Sequence, residues 1–137
     1  MLRTCRVFAL IFFLLSTSRA TESHHSFSAE FEPDQQVTVM GTVTKLEWTN
    51  PHGRMFMEAK DASGTPVVWE FQLGSVNALM RNNGWTRDTL KAGTVLTAGG
   101  YKSRAGGNYA SLATAVFPDG SKFFMPGAAP PGTPAPR

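Results

Sequence analysis

The side chains best suited to chemistry in this sequence are its three histidines, His24, His25 and His52, and the methionines Met55 and Met57. Imidazole and thioether are borderline and soft donors that suit Cu(I), and a chain without usable thiols would have to rely on them. Residues two apart share one face of a strand, so Met55 and Met57 can point to one place. His52 would reach them by folding back across Gly53, where the missing side chain permits unusual backbone angles. Core packing is the competing reading of the pair, because Met fills irregular space in small cores. His24 and His25 read either as a polar amino-terminal segment or as a metal-binding arm. Adjacent histidines seldom chelate together, and no carboxylate stands at a ligand spacing from them.

A second group favours a ligand over an ion. In "GTVTKLEWTNPHGRMFM" the chain passes Trp48, Asn50, Pro51 and His52 within five residues. A turn wants Asn50, Pro51 and Gly53; it has no need of a histidine. His52 therefore reads equally as a turn-locking hydrogen bonder and as a binding residue at a rim near water. Trp48 and Tyr101 are the aromatics expected on an open face, while Trp69 and Trp85 are expected to pack inside. Catalysis has no comparable support. The chain has no Gly-x-Ser-x-Gly elbow, no His-Glu-x-x-His pair and no phosphate-binding loop, and it reads as a binding protein and not an enzyme.

The elements that must position these residues are mostly strands. "PVVWEFQL" alternates cleanly and is expected to bury Val67, Trp69, Phe71 and Leu73 together. "RMFMEAKD" alternates likewise, and the turn formers of "DASGTP" predict a hairpin between the two. "TVLTAGGY" and "NYASLATAVF" are further strands, and "KFFM" is a short last one. In the first strand Val37, Val39 and Val43 share a parity that Leu46 and Trp48 do not, so a bulge or bend is expected just after Gly41. One stretch, "SVNALMRNNG", reads as helix: Ser75 caps it, Val76, Leu79 and Met80 form its stripe, and Gly84 ends it. Three strands, a helix and two strands is the order of the OB-fold. The fold class is thus all-β with one short helix, a small OB-like five-stranded barrel.

The ends set the context. Arg3 and Arg6, the apolar run Val7 to Leu15, and Ser18-x-Ala20 read as a signal peptide over 1–20, cut before Thr21. The apolar run is too short to span a bilayer, so no stable membrane anchor is expected. The chain has 13 Lys+Arg against 10 Asp+Glu, and Arg3, Arg6 and Arg19 leave with the signal, so the mature chain is balanced. That removes the electrostatic case for nucleic acid. The single cysteine, Cys5, leaves as well, so packing alone must hold the fold in a periplasmic or secreted setting. Residues 21–36 form an acidic segment whose Phe27 and Phe31 dock on the barrel, 37–125 form the barrel, and the Pro-rich residues 126–137 read as a disordered tail.

"HHSFSAEF", "GTVTKLEWTNPH", "NALMRNNGWTRDTLKAG" and "PDGSKFF" together resemble a family of small exported bacterial proteins of unknown function. The resemblance runs from His24 to about Phe124 and implies an exported β-rich barrel with no established activity. Met55 and Met57 lie outside the family's pattern. "WTNPHGRMFM" also resembles, over about ten residues, the site of periplasmic copper-efflux metallochaperones, which combine a histidine, a Met-x-Met pair and a capping tryptophan on a small OB barrel. Here the histidine follows the tryptophan and stands three residues before the first methionine. The two functions in view are an exported binding module for a small molecule or saccharide, with its site at Trp48, Asn50, His52 and Tyr101, and a copper-handling protein using His52, Met55 and Met57.

Overall fold

The structure, a computed structural model, describes residues 27–125. The expected signal peptide, the histidines His24 and His25, and the Pro-rich tail lie outside the described residues. Six strands follow a single turn of helix, α1 (Phe27–Glu30): β1 (Phe31–Glu47), β2 (Arg54–Lys60), β3 (Pro66–Gln72), β4 (Val95–Ser103), β5 (Tyr109–Val116) and β6 (Lys122–Phe124). The main helix, α2 (Val76–Asn83), lies between β3 and β4. The sheet order is β3-β2-β1-β4-β5-β6, and a parallel β3–β5 pairing closes five of the strands into a ring. This is the small OB-like barrel that the order of elements predicts. Among the described residues no helix is long and apolar enough to cross a membrane.

Alternation explains most of the core. Met55 and Met57 of β2, Phe71 of β3, Leu96 and Ala98 of β4, and Ala110, Leu112 and Ala115 of β5 are all buried. α2 seals one end with Val76 and Leu79. Gly84 ends the helix in the left-handed conformation, at φ 63°, which a residue without Cβ adopts at no steric cost. Ser75 makes no side-chain cap bond, and Met80 turns out to solvent, so the apolar stripe is narrower than its sequence suggests.

Two irregularities re-aim side chains. The β1–β2 register shifts between Val43 and Lys45, between the residues whose parity differs and two residues beyond the place expected just after Gly41. A second shift, between Gly99 and Gly100, lies in the β4–β5 ladder. Gly100 and Tyr101 are consequently both buried, whereas strict alternation would have turned one of them outward.

The barrel's first strand begins at Phe31, inside the segment that reads as a lead-in. Its β4 partner there is Ser103, and pairing resumes only at Gln36 with Tyr101. Arg104 binds this first stretch to the β4–β5 turn. Its Nε donates to the Ser28 carbonyl at 2.8 Å, its backbone N–H donates to the Glu30 carbonyl at 3.0 Å, and its guanidinium lies 3.5 Å from Glu32. Phe31 is buried, and Phe27 packs edge-on against Tyr101 with ring centroids 5.4 Å apart. The Tyr109 hydroxyl lies 3.0 Å from Glu30 Oε1 and 2.7 Å from Gln72 Oε1, and can donate to one of them at a time. Burial, reinforced by the Glu30 charge, pushes the Tyr109 phenol above its ordinary value.

Candidate functional site

The loop between β1 and β2 carries Trp48, Asn50 and His52. Asn50 and His52 are exposed, and the Asn50–Pro51 bond is cis. Trp48 is half-buried against the core. Gly53, by contrast, is buried: its carbonyl accepts from the Leu73 N–H at 2.8 Å, which ties the loop to the end of β3. Tyr101 is not with them. The bulge at Gly99–Gly100 and the cover of Phe27 leave it 9% exposed, so it offers no open aromatic face. Met55 and Met57 are fully buried, opposite Leu46 and Val43 on one side and Phe71 and Trp69 on the other. The expected ligand group is therefore split between a surface loop and the interior, and the methionines face the core while His52 faces water.

A different place has the shape of a site. An open groove of about 780 Å³ lies beside the far half of β2, away from the Trp48 loop. Its apolar surface comes from Val39, Met40, Ala59, Val67, Trp69 and Val95, and Thr38, Thr42, Glu58, Lys60, Asp61 and Asn108 supply its polar margin. The volume is in the range of small-molecule sites, and an apolar surface with a few polar groups around it is their usual composition.

Barrel closure explains why the groove exists. β3 pairs with β2 from Pro66 to Gln72, but with β5 only from Glu70 to Gln72. The first half of β3 therefore lacks a neighbour on its β5 side among the described residues. Trp69 has the parity of Phe71 and stacks on it at 5.8 Å and 24°, yet stays partly exposed because no strand covers it there. The expectation that Val67, Trp69, Phe71 and Leu73 are buried together holds for Phe71 and Leu73 and fails for the two that reach past the closure.

The groove's acidic margin is fixed locally. Asp61 Oδ1 accepts from the Ser63 hydroxyl at 2.6 Å, the Ser63 N–H at 2.8 Å and the Thr65 N–H at 2.9 Å. The Ser63 hydroxyl bond first, then the backbone bonds, hold its carboxyl below the usual range. Glu58 and Lys60 project from alternate positions of β2 and remain exposed. Sequence reasoning passed over this site because parity assigned Trp69 to the core. The available signal was the highly polar turn "DASGTP" directly before a strand that carries an indole so close to its start. Among the described residues, no group of three or more His, Cys, Asp or Glu stands together as a metal site.

No curated protein and no solved structure matches the chain. Residues 11–112 match the model of the family of unknown function DUF6152, and the chain belongs to that family.

Proposed function

We propose that the protein is an exported, non-enzymatic binding module that takes a small ligand, with saccharides the favoured class, in the groove beside Trp69. The carrying observation is the partly exposed indole of Trp69, stacked on Phe71 and lining a groove edged by carboxylates, an ammonium, an amide and hydroxyls. Such a surface stacks the apolar face of a sugar ring while side chains at the margin bond its hydroxyls. The Trp48–His52 loop lies off this groove and supports the rim of the barrel. Export is inferred from the amino-terminal pattern of basic, apolar and small residues. The balance of charges after cleavage argues against nucleic acid as the ligand.

The test is calorimetric titration with a panel of neutral mono- and oligosaccharides, comparing the parent with Trp69→Ala. Stacking on an exposed aromatic is worth about 1–3 kcal/mol where bases have been measured. Since about 1.4 kcal/mol is a factor of ten, Trp69→Ala should weaken binding by about fivefold to a hundredfold. Because Trp69 is only half-buried, the variant should remain folded. Binding by the parent that survives Trp69→Ala would move the site elsewhere.

The copper reading makes a different demand. Met55 and Met57 would have to leave a closed core to meet His52 and an ion. Titrating the reduced protein with Cu(I) is accordingly expected to leave its tryptophan fluorescence unchanged. One-to-one quenching of Trp48 that Met57→Leu removes would establish the copper site instead, since that swap nearly conserves volume and should cost under about 1.5 kcal/mol.

A further inference from the structure

One edge of the barrel is guarded only at its start, where Glu32, Pro33, Asp34 and a break in pairing precede an unguarded run. β1 pairs with β2 only from Gly41 onward, while its pairing with β4 runs back to Gln36. Over Gln36–Met40 it therefore has β4 on one side and, among the described residues, no strand on the other. The Val43 N–H donates toward β4, to the Thr94 carbonyl at 2.8 Å. Backbone groups alternate sides along a strand, so those of Val39 and Val37 also face β4, and those of Thr38 and Gln36 face the open edge.

Exposed edges normally carry a proline, a charge or a bulge, or are very short, because bare N–H and C=O groups recruit other strands. The uncovered start of β3 opens on Pro66, which has no N–H to offer, and β6 is three residues long and begins with Lys122. Past Glu32, Pro33 and Asp34, residues 35–40 of β1 contain no charge and no proline, and three of the six are β-branched. Met40, on the outer face of this run, is 73% exposed.

We propose that this edge pairs with the same edge of a second copy of the chain, so that the sheet continues across a two-fold axis. The sequence is self-complementary for such pairing. Antiparallel alignment about Thr38 sets Thr38 against its own mate, Gln36 against Met40, and Val37 against Val39. No like charges meet, threonine and β-branched pairs are favourable across strands, and each exposed Met40 gains a neighbour. Such an interface is isologous, as most dimer interfaces are, and closes without propagating into a filament. Thr38, Val39 and Met40 also line the groove, so dimerisation sets the two grooves beside one another. The pairing rests on the strand edge and not on the identity of the groove's ligand, though the two share Thr38, Val39 and Met40.

Light scattering during size-exclusion chromatography of the protein isolated from its host should give twice the chain mass. Amide hydrogen exchange at Gln36 and Thr38 should slow as protein concentration rises. Thr38→Lys and Thr38→Glu, each placing like charges against each other at the axis, should both run as folded monomers that melt where the parent melts once diluted below its dimer range. An equimolar mixture of the two should recover the dimer mass. A monomeric parent overturns the proposal, and protected edge amides in that monomer would mean that another segment covers β1. Variants that stay dimeric, or a mixture that stays monomeric, overturn it equally. Should either variant fail to fold, Gln36 and Thr38 amides that exchange freely at every concentration of the parent are decisive against it.

Discussion

Trp85→Ala should lower the stability of the barrel by about 3–5 kcal/mol, the range for removing a large aromatic from a packed core. Trp85 follows the α2 cap directly, and its backbone N–H donates to the Leu79 carbonyl at 3.2 Å. Its ring is 1% exposed and meets Phe123 edge-on at 5.4 Å, so it joins the helix end to the β6 hairpin. Removing it leaves a cavity between the helix end and Phe123. A domain of this size has about 5–15 kcal/mol in total, so the loss takes much of the margin. Trp85→Phe should cost far less. Its ring still fills most of the space, and the substitution removes Nε1, a buried donor with no acceptor among the described residues. Urea denaturation of both variants checks the pair. Equal losses would show that the indole nitrogen has a partner that matters.

Gly41→Ala should be the second severe change, at about 1–3 kcal/mol or more, the range for overpacking. The cause is crowding and not backbone angle, because Gly41 is absent from the positive-φ glycines. At Gly41, β1 passes from one neighbour to two, pairing with Ala59 of β2 and Leu96 of β4. A Cβ at this position would run into the backbone carbonyl of Glu58, which cannot swing aside as a side chain could. Relief requires separating β1 from β2 just where the groove begins. Thermal unfolding of Gly41→Ala against the parent measures the effect, and a variant that melts with the parent would mean that the strands give way easily.

How much of this was legible in advance depends on the period of the chain. β2 and β3 were readable because apolar and polar residues alternate from Arg54 to Gln72 and the intervening turn supplies Asp61, Ser63 and Gly64. The helix stop at Gly84 was readable because a left-handed cap favours one residue type. The start of β1 was not, since Glu32, Pro33 and Asp34 read as loop, and the strand there is held by Arg104 from a distant turn. Tyr101 was misplaced because the Gly99–Gly100 shift changes which residues face inward, and two glycines in a row leave no side-chain pattern to reveal it. Trp69 was misplaced for the opposite reason. Its parity was right, but parity says nothing about where a neighbouring strand stops.

The long-range pairing of β1 with β4 bears on the order in which the barrel can be built. Val37 meets Gly100 and Thr42 meets Val95, with β2, β3 and α2 threaded between them. A chain made from its amino terminus can form the β1–β2–β3 meander early, from neighbouring segments, but Val43, Met55, Met57 and Phe71 then have no opposing layer. That layer is β4 and β5, and their arrival must first repay the entropy of closing a long loop. Docking of β4 and β5 is therefore the late, slow event, and the early meander is the species at risk of sticking to others. For this barrel, speed of completion and escape from aggregation are set by the same pair of strands.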